Sequence, residues 1–166
     1  MLEYAIIGFH WVGIILMSTY AFIFKKNLFD YVYLLIFYFM FLHWTFLNGE
    51  CIITYASKCV SNPNYVAGED VHMDDLRKLI GENDTTYLIA KIIKDVFKYL
   101  SFCLVCIRNR IPEAFYLPFL LLLIIYTCTI HNTEYPYNDE SFIVFQEVTK
   151  YILIVGGILF LFRKKI

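Results

Sequence analysis

Uncharged apolar runs recur along this chain at lengths that suit a bilayer. Residues 4–24, YAIIGFHWVGIILMSTYAFIF, and 31–48, YVYLLIFYFMFLHWTFLN, carry no formal charge, and 114–130, AFYLPFLLLLIIYTCTI, forms a third run. A helix needs about 20 mostly apolar residues to cross the hydrocarbon layer, so each stretch predicts a transmembrane helix. Pro118 falls near the start of the third, where a missing amide donor is tolerated best. The last run, KYILIVGGILFLF at 150–162, is short, and the preceding FIVFQEVT extends its helix.

The stretch 86–107, TYLIAKIIKDVFKYLSFCLVCI, reads differently. Lys91, Lys94, Asp95 and Lys98 fall at helical spacing, a polar stripe on an otherwise apolar helix. Such a helix either lies along the membrane surface or crosses with its stripe turned toward other helices. Charge placement arbitrates. If it crosses, Lys25, Lys26, Arg108, Arg110, Arg163, Lys164 and Lys165 all fall on one side. Bases near span ends mark the cytoplasmic face, so five spans place the N-terminus outside and the C-terminus in the cytoplasm. The opposite side takes the acid-rich connections 50–85 and 131–147. Four spans plus one interfacial amphipathic helix would split the basic pairs between faces. The expected fold is therefore an all-α integral membrane bundle of five helices, with the four-span arrangement as the alternative.

The connection 50–85 carries a turn signal, SNPNY, then a short helix expected around Met73–Ile80 and closed by Gly81. Some thirty residues cannot hold a soluble core of their own, so this loop must pack on the helix ends. Residues 1–166 read as one multi-span domain.

Composition agrees with the pattern. The chain is 60% hydrophobic and 19% aromatic, with sixteen Phe and fourteen Tyr against two Trp. Soluble domains hold about 45–50% apolar residues. The net charge of −1 conceals the segregation just described. The N-terminus MLEYAIIGFHW has no basic region before its apolar run, so the first span is expected to stay attached.

Candidate chemistry gathers where the second span ends, in LHWTFLNGECIITY. Two His-Trp pairs, His10-Trp11 and His43-Trp44, fall at similar depths in the first two spans, on the order of 9 Å below the surface. Paired imidazoles suit a haem or metal, but further convergent ligands would be needed, and His72 and His131 lie outside the spans. No cofactor is expected. If the second helix continues through Gly49, His43 and Glu50 share a face. Glu50 then becomes a partner for Lys91, Lys94 or Lys98 on the striped helix. The polar cluster His43, Asn48, Glu50, Lys91, Lys94, Asp95 and Lys98 reads as an ionic clasp between helices. A proton or ion path, or a redox or haem site, is the functional alternative.

Five cysteines do not form a secreted disulfide framework. Cys51 and Cys59 could close a disulfide if the second helix ends near Gly49. With 51–59 all helical they stand about 12 Å apart, too far to bridge. Cys103-Leu-Val-Cys106 has redox-motif spacing inside an apolar helix and reads as packing. Asn83-Asp-Thr85 is a formal glycosylation sequon, equally readable as a helix start. No phosphate loop, serine–histidine constellation, zinc-protease motif or nucleic-acid-reading pattern is present in the sequence.

The passage HWTFLNGECIITYASKCVSNPNY resembles a pattern of small multi-span proteins encoded by large nucleocytoplasmic DNA viruses. The matching positions are His43, Trp44, Asn48, Glu50, Cys51, Ile52, Ile53, Tyr55, Lys58, Asn64 and Tyr65. The resemblance covers about residues 42–69 and implies a setting rather than an activity. It implies a non-enzymatic structural protein of a virion's internal membrane, or of the host endomembrane from which that is drawn, linking membrane to capsid shell. The expected partners are the lipid bilayer, capsid or other virion proteins through loops 50–85 and 131–147, and further copies of the chain. Neither nucleic acid nor a small-molecule substrate is expected.

Overall fold

The computed structural model describes residues 2–69, 84–132 and 140–162. The helix expected at 73–80, His72, Asn83 of the sequon, most of the 131–139 segment and the C-terminal RKK lie outside the described residues.

Among the described residues there are six helices and no strand: α1 Leu2–Ile23, α2 Phe29–Phe46, α3 Ile52–Ser61, α4 Asp84–Arg108, α5 Glu113–Asn132 and α6 Glu140–Phe162. α1, α2, α5 and α6 are long and apolar enough to cross a membrane. α6 takes in the FIVFQEVT extension, which brings it to 23 residues. α3 settles a stretch whose helicity the sequence left open. It is a ten-residue amphipathic helix inside what the sequence suggests is loop.

The chain direction can be followed through cross-helix bonds. Tyr33 donates to the carbonyl of Met17 and Tyr20 to Asp30, so α2 runs antiparallel to α1. Ser18 reaches the carbonyl of Lys94, the Ala21 amide donates to Ser101, and Arg108 donates to the carbonyl of Phe24, so α4 runs parallel to α1. α5 follows α2, with Tyr126 donating to the carbonyl of Trp44. α6 returns, with Gln146 on Thr45 and Tyr38 on the carbonyl of Leu153.

α2 sits at the centre and contributes an aromatic spine. Phe37 stacks on Phe102 of α4 with centroids 4.4 Å apart, and Phe41 meets Tyr126 of α5 edge-on at 5.3 Å. Phe37, Phe41, Val105, Leu123 and Tyr126 are fully shielded. Offset and edge-on ring pairs contribute about 0.5–1.5 kcal/mol beyond the area they bury. Cys103 and Cys106 pack in or against this core, as their apolar setting suggests.

The exterior is apolar as well. On α4 the exposed residues include Leu88, Ile89, Ile92, Ile93, Val96, Phe97, Leu100, Leu104 and Ile107. That greasy stripe extends roughly 28 Å along the axis, close to the ~30 Å of a bilayer's hydrocarbon. Lys94 and Asp95 are largely shielded and Lys98 is buried, so the polar stripe faces the bundle. α4 is thus inverted relative to the surface helix of a soluble protein.

Candidate functional site

At one end of the bundle, α2 stops and the chain folds back into a compact polar knot. Asn48 and Gly49 adopt left-handed φ values of 50° and 88°, and the Gly49 amide reaches back to the carbonyl of Trp44 at 2.8 Å. This is a 6→1 helix-ending bond, and glycine suits the reversed backbone. α2 therefore ends at Phe46, and the helix expected to continue through Gly49 does not exist. A Cβ on Gly49 would press on the Ile130 side chain at 2.8 Å, so the turn is also packed against α5.

Glu50 follows and is buried. Its carboxylate accepts from Tyr65 Oη at 3.1 Å and the Gly68 amide at 3.2 Å, and pairs with Lys58 Nζ at 3.3 Å. Asn48 Nδ2 donates to the carbonyl of Ala67 at 2.8 Å. A Cβ on Gly68, itself at φ 87°, would overlap Asn48 Cβ. Residues 65–68 are thereby clamped under the end of α2. Gln146 of α6 completes the knot, donating to the carbonyl of Thr45 at 2.7 Å and to Asn48 Oδ1 at 3.3 Å. Burial disfavours the charge on Glu50 and holds its pKa above the ordinary carboxylate value. The Gly68 amide, Lys58 and Tyr65 only partly offset that rise.

The clasp between Glu50 and the α4 lysines is thus corrected. The partner of Glu50 is Lys58, two turns along α3, because the αL turn swings Glu50 away from the continuing α2 axis. The stripe closes on itself: Asp95 bonds Lys98 at 2.8 Å and lies 3.6 Å from Lys94. Lys98 also stands 4.9 Å above the Trp44 ring and 5.0 Å from that of Tyr99. Lys91 lies over Tyr87 at 5.6 Å.

His10 and His43 do converge, but on sulfur. Cys51 faces the imidazoles of His10 and His43 and the Ile53 amide, close enough for them to act on its thiol. His10 is buried on α1. His43 holds its Nδ1 against the carbonyl of Phe39 at 3.0 Å, and its Nε2 is sealed from solvent without a hydrogen-bond partner. Burial pushes the Cys51 thiol up. The two imidazoles and the Ile53 amide outweigh it and bring the thiol down to about 5.

The disulfide between Cys51 and Cys59 is a further correction. Both are free, and α3 begins at Ile52, so the two thiols sit at the start of the helix and two turns along it. Among the described residues no group of His, Cys, Asp and Glu side chains is arranged to hold a metal ion.

The opposite end holds a cluster that sequence reading missed. Asp30, fully buried, receives Arg108 Nε at 2.8 Å, Asn109 Nδ2 at 2.6 Å and Tyr20 Oη at 3.0 Å. Arg108 Nη2 completes a two-point ion pair with the same carboxylate. Arg108 Nη1 caps the carbonyl of Phe24. The available signal was a lone acid in the first turn of a span with arginine on the same predicted side. The chain matches no family model, no curated protein and no solved structure.

Proposed function

We propose that the protein is a non-enzymatic structural component of a membrane, organising helices in lipid and presenting its loop end to a protein partner. One observation carries this reading. The three charged side chains buried among the described residues, Asp30, Glu50 and Lys98, each face a counter-ion within the same chain. Paired and hydrogen-bonded charges act as fasteners between segments, since breaking any of them leaves an uncompensated ion in an apolar medium. The wide apolar exterior fits the same role.

In this reading α4 is the fifth crossing, its lysines inward and its aliphatic stripe against lipid. The bases at Lys25, Lys26, Arg108 and Arg110 then lie in the cytoplasm with the C-terminus, and the N-terminus is exoplasmic. The setting follows from the resemblance of residues 42–69 to small viral multi-span proteins. Four of its positions, Asn48, Glu50, Lys58 and Tyr65, belong to one knot that displays the end of α2 and the loop after α3. A virion-membrane protein tied to a capsid shell would use this end, with residues 131–147, as its contact surface.

The test is cross-linking of intact particles together with accessibility to protease and thiol reagents. The expected result is cross-links from 50–85 or 131–147 to a shell protein, with those segments and the C-terminus on opposite faces. Particles in which neither segment touches another protein would overturn the reading.

A further inference from the structure

Of the four bases described at the end of the bundle opposite the Glu50 knot, Lys25, Lys26, Arg108 and Arg110, the chain neutralises one. Arg108 lies against Asp30 and donates to the carbonyl of Phe24. Lys25, Lys26 and Arg110 are exposed, and among the described residues their side chains form no ion pair, hydrogen bond or ring contact. Glu113, the other acid described at this end, opens α5 and pairs with none of them.

The backbone beneath these bases is held in place. Asn27 Oδ1 accepts from the Phe29 amide at 2.7 Å and Asn27 Nδ2 donates to the carbonyl of Lys25 at 2.7 Å, which shapes the turn between α1 and α2. Lys25 follows Phe24, whose carbonyl takes Arg108, and Arg110 lies two residues beyond Arg108. The three cations thus ride on two segments pinned to each other. Arg110 is also in an unusual conformation. α4 closes with the Arg110 amide on the carbonyl of Ile107 and the Ile111 amide on that of Cys106, both at 3.0 Å, and Arg110 itself is left-handed at φ 55°. That position of a helix ending favours glycine, and a residue with a side chain strains the backbone there. A base near a helix C-terminus gains from the helix dipole, but Arg108 already supplies that charge. Arg110 makes no polar side-chain contact among the described residues that would offset the strain. Such strain is characteristic of positions where the side chain is used.

We infer that the turn 24–28 and Arg110 form a docking surface for acidic phospholipids: Lys25, Lys26 and Arg110 hold the headgroup phosphate, and the apolar side chains beside them lie against the acyl chains. Phe24, Leu28 and Phe29 around the turn, and Ile107 beside Arg108, all expose their side chains. The bases therefore stand where hydrocarbon meets water. A soluble anion would use only the cations, whereas a lipid uses both parts of the surface. Charge selects the lipid class. A zwitterionic headgroup brings its own ammonium to a patch that is already cationic, while an acidic one neutralises it. The guanidinium of Arg110 can grip two phosphate oxygens at once, which a lysine cannot. This surface needs the protein to lie in a bilayer, not the shell contact proposed for the other end, so either can fail alone.

The test is native mass spectrometry of the full-length protein released from nanodiscs of phosphatidylcholine and phosphatidylglycerol in equal parts. The wild-type chain should retain phosphatidylglycerol in preference, by at least about fivefold. Arg110→Gly should weaken that preference about fivefold, while its melting temperature in lipid-free detergent holds or rises because the strain is gone. Lys25→Gln and Lys26→Gln added to it should abolish the preference. Changing Arg163, Lys164 and Lys165 to Gln removes as much charge and should have a clearly smaller effect. Equal retention of the two lipids, a preference that survives the triple change, or an equal loss from the C-terminal changes overturns the proposal. So does an Arg110→Gly chain that melts lower yet keeps its lipid, or inorganic phosphate that displaces the lipid at millimolar concentration. Should a variant misfold, the wild-type chain still decides: a photoactivatable phosphatidylglycerol must mark residues 22–29 or 104–110, and adducts found only elsewhere also overturn it.

Discussion

Asp30 and Arg108 are 78 positions apart, and their side chains meet in a two-point ion pair that ties the start of α2 to the end of α4. Tyr20 and Asn109 fill the remaining positions on the carboxylate. The pair holds α1, α2 and α4 together at the basic end, as the Glu50 knot does at the other.

Removing one member should therefore cost more than removing both. Arg108→Ala leaves Asp30 buried without its counter-ion, and a loss of about 3–5 kcal/mol is expected. Replacing Asp30 and Arg108 together by Leu should recover most of it, because no ion is then left stranded. Thermal unfolding in detergent of the two single variants and the double variant checks this; additive losses would mean that the two side chains are not coupled.

Gly68 is required twice, for its positive φ and for the space its missing side chain leaves to Asn48. Gly68→Ala should destabilise the loop end by about 1–3 kcal/mol. Adding Asn48→Gly relieves the overlap but also deletes the bonds of Asn48 to Ala67 and Gln146, so the double variant should be no more stable than Gly68→Ala alone. Limited proteolysis of residues 62–69 reads both effects.

Glu50 makes the loop end sensitive to pH. Its folded pKa lies above the unfolded value near 4.5 because burial disfavours the charge. The native state thus binds the proton more tightly than the unfolded chain. The Glu50 contribution is fully present below pH about 4.5 and is lost as pH rises through the folded value. Relative to Glu50→Gln, the wild-type chain should become less stable as pH increases across that window. Melting temperatures of the two proteins at matched pH values measure the difference, and parallel curves would contradict it.

The exposed stripe of α4 should be intolerant of charge if it meets hydrocarbon. Leu100→Lys places a cation on that face near the middle of the bundle, where insertion costs about 2.5–3.5 kcal/mol. Membrane accumulation should fall sharply. At an interfacial helix the lysine could snorkel back to the headgroups and the loss should be clearly smaller, so the size of the fall, read by fractionation of cells expressing the variant, separates five crossings from four.

Much of the architecture was legible in the sequence because it depends on local pattern. Runs such as 4–24 and 114–130 can satisfy their backbone only as helices in lipid, whatever surrounds them. The spacing of Lys91, Lys94, Asp95 and Lys98 placed those charges on one face, and the structure turns that face inward. The similar depth of His10 and His43 also followed from counting residues along antiparallel helices. Whether α3 forms stayed open in the sequence, because ten residues beside a chain turn become a stable helix only when a bundle offers them a surface.

Sequence alone determined an all-helical chain with four unmistakable apolar helices and a fifth carrying its charges on one side. Only the tertiary structure decided which charges meet. Asp30 faces Arg108, Glu50 faces Lys58, and both imidazoles face Cys51 because two residues, Asn48 and Gly49, turn the backbone left-handed and redirect everything after them. Helical periodicity specifies a face, whereas partner choice depends on the rotation and register of whole helices. Those are set by the aromatic spine around Phe37 and Phe41, through packing that no local pattern encodes.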